Sequence, residues 1–271
     1  MGVTTRTVGW LLFALVVSVP VQVNVAVAQT QQRPSASEEL VTFFYKDPRP
    51  ERLLGHFDEL RKLPVARNWQ AYPPIVGFFA VIFRSHQDWI VRLVPDTPNA
   101  LELEALASAL RLAGNQSEAD QLRLRFKDAG SDEKLKSELV GLPTRLEDLR
   151  IATPTHLDIV WGAAFASGDA RYPGMILDFF AATANQSEEV AIDVARAVIA
   201  MAGGRKEVLQ ELRDKYGDDL ARQIVYAAAA LWALQANARQ HVFVDQTVAR
   251  YITQRSGTPA AKALAAFRQR K

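Results

Sequence analysis

The chain has 271 residues, with 32 Lys and Arg against 30 Asp and Glu, a formal net charge of +2, no cysteine and 49% apolar side chains. So near-neutral a balance argues against a nucleic-acid partner, whose footprint is a basic face, and against a polybasic membrane patch. Without cysteine there are no disulfides, no thiol catalysis and no thiolate metal sites, so stability must come from an ordinary hydrophobic core.

The first 28 residues read as a secretory signal peptide. Arg6 is their only charged side chain, an apolar run extends from Val8 to Val19, and Pro20 breaks it. The stretch closes on Ala26-Val27-Ala28, the small-x-small ending that a signal peptidase cuts. The alternative is an uncleaved anchor, since Val8 to Ala28 is nearly long enough to span a bilayer. Ser18, Pro20, Gln22 and Asn24 make a poor spanning helix, so cleavage after Ala28 is the favoured reading. Cleavage leaves about 240 residues, enough for one sizeable domain or two small ones. Residues 29–37 (QTQQRPSAS) are polar and read as a flexible tether. Residues 38–271 are then expected to form a single helical domain, with a possible sub-division near 141–153.

The segment from Phe43 to Glu51 (FFYKDPRPE) is either a recognition loop or a helix end, a proline-stiffened turn and a new helix near Pro50; the second is favoured. Ile75 to Phe83 is apolar nearly all round, which predicts a central helix covered on several sides. Further on, Leu103, Leu106, Leu110 and Ala113 form a helical stripe, and Ala119, Leu122, Phe126 and Ala129 form another. The stripe Leu157, Val160, Trp161, Ala164, Phe165 follows, then Ile176, Phe179, Phe180, Thr183, then Val190, Val194, Ala197, Val198, Met201. Ile224 to Leu234 is again apolar nearly all round. Trp161, Phe165, Phe179, Phe180 and Trp232 are the expected core aromatics. No strand pattern is convincing; the nearest, His241 to Asp245, is too short to carry a sheet. Punctuation agrees with helices. Thr97-Pro98, Thr153-Pro154 and Thr258-Pro259 each read as a cap followed by proline, and Ser117 and Ser187 as capping hydroxyls. Gly114, Gly130, Gly168, Gly203 and Gly257 read as helix stops.

Three helix–turn–helix units fall in the C-terminal half, with turns near Gly168, Gly203 and Asn237, a period of about 34 residues. An earlier unit of the same appearance starts at Leu106. These hairpins resemble tetratricopeptide-like repeats, with Trp161, Gly162 and Phe165 resembling the large-then-small start of that repeat's first helix. The turn at Gly114 departs from the period, and no unit carries the closing proline. The resemblance, over residues 100–128 and 156–255, implies antiparallel helix pairs with a groove for a peptide or partner helix. The expected fold is all-α: an array of antiparallel helical hairpins, either a tetratricopeptide-like solenoid or an irregular bundle.

Little in the sequence points to chemistry. His56, His86, His156 and His241 lie too far apart for a local metal pair. His156 and Asp158 project on different sides of a helix, and His156 at a helix start reads as a capping or solvated residue. Gly203-Gly204-Arg205-Lys206 could hold an anion, but a helix stop before a basic turn is the commoner arrangement. Asn115-Gln-Ser and Asn185-Gln-Ser fit the glycosylation acceptor pattern, yet each serine already has a capping role. No catalytic, cofactor-binding or metal-ligating residue is assigned, and no binding residue is singled out. The expected function is an exported binding or scaffold protein engaging a protein or peptide in the cell envelope, periplasmic in a two-membrane bacterium, without membrane insertion after signal removal. The rival readings are an enzyme with a site assembled from dispersed polar residues and a structural subunit of an envelope assembly.

Overall fold

The structure, a computed structural model, describes residues 36–205 and 207–269. The signal-peptide reading of residues 1–28 and most of the tether lie outside them. The tether ends two residues sooner than expected, because Ala36 and Ser37 already belong to helix α1 (Ala36–Thr42). The described residues contain thirteen α-helices, short 3-10 turns and no sheet; one isolated bridge joins Ala113 to Arg145. They divide into two compact units that meet in sequence at Gly168 and Asp169, downstream of the 141–153 stretch.

The first unit contains α1, α2 (His56–Arg61), α3 (Pro73–Ser85), α4 (Ile90–Leu93), α5 (Ala100–Leu112), α6 (Gln116–Arg125), α7 (Glu133–Leu139) and α8 (Pro154–Ser167). Its axis is α3, in which every residue from Pro73 to Phe83 is buried. Helices α5 and α8 pack against it. Two glycines permit the α3–α8 approach. A methyl on Gly77 would overlap the Ile159 carbonyl, and one on Gly162 would overlap the Pro74 carbonyl. Gly162, read from sequence as part of a repeat signature, therefore has a local steric reason.

Phe44, in the middle of the aromatic run of FFYKDPRPE, begins this core. Phe44 is fully buried with its ring 5.2 Å from that of Phe78, and Phe57 stacks on Phe79 at 5.4 Å. The rest is the expected turn and short helix, with Asp47 accepting from Arg49 and Arg52 at the surface. A buried carboxylate pins α5. Glu102 accepts from Arg61 Nε at 2.8 Å and Nη2 at 2.6 Å, while Asn99 and Glu102 form a reciprocal capping box. That box starts the helix at Ala100, two residues beyond the expected Thr97-Pro98 start.

The second unit contains α9 (Arg171–Ala184), α10 (Glu188–Ala202), α11 (Glu207–Ala238), α12 (Val242–Gln254) and α13 (Pro259–Gln269). Helix α11 is central and packs against α9, α10 and α12; its Ala227–Ala230 run is buried, so neighbours approach closely. It breaks at Gly217, whose φ of 76° and ψ of 170° no helix contains. Helix α13 returns onto α12, α10 and α9. In the α9–α10 turn, Asn185 Oδ1 accepts from the Ala260 N–H at the start of α13, which fastens that closure.

The two central apolar helices and the Thr153, Ser187 and Thr258 caps follow the sequence reading. Several details differ. The hairpin expected around Gly168 has its two helices in different units. The helix before Gly257 ends at Gln254. Trp161, Phe165 and Phe180 are core residues at 1%, 2% and 0% exposure, but Phe179 and Trp232 are only half-buried, at the edges of their apolar stripes. Ser117 does not cap. Gly114, at φ 86°, turns the chain so tightly that α6 starts at Gln116, which leaves Ser117 inside the first turn, where its hydroxyl accepts from Gln121.

Candidate functional site

The described residues most suggestive of function lie on α10. Its inner face carries Val190, Val194, Ala197 and Val198, all buried against the unit. One acid interrupts that face. Asp193 is 2% exposed, and its carboxylate accepts from Lys215 Nζ at 2.7 Å, Tyr216 Oη at 2.9 Å and Arg196 Nη1 at 2.9 Å. Lys215 also pairs with Glu189 at 2.7 Å. Lys215 and Tyr216 immediately precede the break at Gly217, so Asp193 holds the first segment of α11 against α10.

This network borders a crevice of about 100 Å³ lined by Asp193, Arg196, Val208, Glu211, Leu212 and Lys215. Small-molecule sites are typically several times larger, about 300–1,000 Å³. The crevice admits the tip of a side chain or a few waters. Burial opposes ionisation of Asp193, yet the bonds from Lys215, Tyr216 and Arg196 outweigh it and hold the carboxyl below the usual carboxylate range. The bonds to Asp193 and Glu189 raise Lys215 above its ordinary value, and burial raises Tyr216. The pair is thus fully ionised at neutral pH, and none of the three is poised to exchange a proton there.

The outer face of α10 is of another kind. Ile192 is 60% exposed and Ile199 47%, with half-buried Ala195 between them and exposed Ala202 beyond. These positions make a small apolar patch on the solvent side of the helix, bordered by Arg196, whose side chain is 58% exposed. Acidic Glu188 and Glu189 stand at the helix start. Arg205 follows the helix stop at Gly203 and the left-handed Gly204, off the helix.

The residues singled out from the sequence are dispersed. His56 is buried against the rings of Phe57 and Phe79, and burial lowers it to about 4. His86 follows the last turn of α3. His156 accepts from the Ala152 N–H at 3.2 Å, the expected capping role. His241 is buried at the start of α12. Asp158 is crowded by burial, which pushes its carboxyl well above the usual range, and nothing among the described residues hydrogen-bonds to it. At Gly203-Gly204-Arg205 the backbone N–H groups donate to Ile199, Met201 and Ala200, so the segment is a helix stop and not an anion cradle; Lys206 lies outside the described residues. The Asn115 amide nitrogen is shut away from solvent. No group of three or more potential metal ligands occurs among the described residues, and no described helix is long and apolar enough to cross a membrane.

The Asp193 network was not anticipated. Its signal was present: a lone acid one residue before Val194 and three after Val190, on an otherwise apolar face. No family model matches the chain, and no curated protein and no solved structure is significantly similar to it.

Proposed function

We propose that the protein is an exported helical interaction module that docks another protein through the outer face of α10. The observation that carries this reading is the pair Ile192 and Ile199, two large aliphatic side chains left in water on the solvent side of α10. Apolar side chains at this spacing suit a partner helix. The Asp193–Lys215–Tyr216 network supports the face from behind by fixing α10 against α11. Within this network the acid is lowered and Lys215 and Tyr216 are raised, so the cluster acts as a structural tie and not as a proton-exchanging pair. Export rests on the sequence of residues 1–28, and the reading does not depend on the tetratricopeptide resemblance. Mild chemical cross-linking in the producing cell tests it, comparing the native chain with Ile192→Glu/Ile199→Glu. Docking through α10 predicts loss of the cross-linked complexes with the fold retained; unchanged complexes contradict it.

A further inference from the structure

We infer that residues 207–216, the first segment of α11, form a strap that lifts from α10 as one unit and is latched shut by Asp193.

Glycines isolate this segment at both ends. Gly203 stops α10, and Gly204 holds φ at 67° just before the segment begins. At the far end Gly217 has φ 76° and ψ 170°, a conformation essentially confined to glycine. A methyl on Gly217 would meet no atom within 4 Å, so backbone conformation, and not a close neighbour, calls for glycine there. A residue so far from helical geometry breaks the regular hydrogen-bond ladder. Helical cooperativity therefore passes poorly from one segment of α11 to the other.

The apolar grip of the strap is small. Between 207 and 216 only Val208 and Leu212 are buried, whereas the second segment buries every residue from 227 to 231. The crevice of about 100 Å³ lies between the strap and α10, so the two do not close tightly. Segments with few buried apolar contacts open at lower free energy than the core around them.

Charge supplies the rest of the hold. Lys215 and Tyr216, the last two residues of the strap, donate to Asp193 at 2.7 and 2.9 Å. Arg196 bridges Asp193 to Glu211 of the strap, at 2.9 and 3.6 Å. Asp193 is buried, but Lys215 is 39% exposed and its second partner Glu189 66%. Dissolved salt reaches this outer half and competes with it. The latch loosens as ionic strength rises, and lifting the strap turns the crevice into an open cleft with one carboxylate beside two apolar side chains.

A chain without cysteine lets the opening be read at single introduced thiols. Leu212→Cys places one under the strap, and Leu234→Cys places one in the second segment, where Leu234 is fully buried. Relative to the unfolded chain, a thiol reagent should modify position 212 at least about tenfold faster than position 234. Asp193→Asn should speed position 212 by about tenfold more, because bonds to a charged group are lost, and leave position 234 unchanged. Raising sodium chloride from about 0.1 M to about 1 M should speed position 212, and far less so with Asp193→Asn. Hydrogen exchange reads the same contrast without any thiol. Amides 211–216 should exchange faster than amides 227–234; the first four of the segment are left out because they have no partner within any helix. Equal opening of the two segments overturns the inference, since α11 then moves as one helix. An equal gain at both positions from Asp193→Asn overturns it too, because the acid then supports the whole unit. A rate at position 212 that ignores salt contradicts the ionic latch.

Discussion

At the scale of single residues, buried His56 and half-buried Asp158 make opposite demands on the first unit. His56 titrates at about 4 in the folded chain against 6.5 ordinarily, because burial among Phe57 and Phe79 disfavours its charge. Between those values the unfolded chain binds a proton that the folded chain refuses. Stability is therefore full above about pH 6.5 and falls as pH drops toward 4, by up to about 1.4 kcal/mol per pH unit. Melting temperature against pH should show this loss, and His56→Phe should flatten it whatever the variant's own stability; an equally steep profile in the variant would contradict the assignment. Asp158 has the reverse sign. Its folded value is raised, so stability is full in acid and is lost as pH rises through that value. Asp158→Asn should melt higher than the native chain at neutral pH and alike in acid; a variant less stable at neutral pH would show that the carboxylate is held by something useful. Neither environment was legible beforehand. His56 lies between Gly55 and Phe57 and Asp158 between Leu157 and Ile159, and only the tertiary packing of α3 and α8 decides how much water reaches them.

At the scale of elements, most helices were legible, because apolar stripes at 3- and 4-residue spacing predict buried faces whichever partner covers them. What periodicity does not carry is the choice of partner. The α3–α8 crossing depends on Gly77 and Gly162, which bring two backbones together over more than 80 residues of sequence. Gly162→Ala should destabilise the first unit by about 1–3 kcal/mol through overpacking, read as a lower denaturation midpoint; an unchanged midpoint would mean that the helices are not in backbone contact. Caps show the same limit. Asn-Gln-Ser-Glu occurs twice, and Ser187 caps α10 while Ser117 does not cap α6. The difference comes from Gly114, whose left-handed backbone starts the second helix of that turn sooner. The apolar outer patch of α10 was in the sequence as well, but Ile192 and Ile199 could equally have faced a neighbouring helix until the packing of α9, α11 and α13 was known.

At the scale of the whole molecule, each unit is an ordinary helical core, and its surface carries what distinguishes it. The expected start of the mature chain, Gln29, is checked by intact mass from the exporting cell; a membrane-bound species retaining residues 1–28 would contradict export by cleavage. The central claim is that the outer face of α10 meets another protein. Its most direct measurement places a photo-activated cross-linking residue at position 199 in the producing cell, with position 124 as the control, since Leu124 is 74% exposed on α6 and belongs to no proposed contact. The account predicts a discrete adduct from position 199 and none from position 124. No adduct from position 199, or the same adducts from both positions, would contradict it.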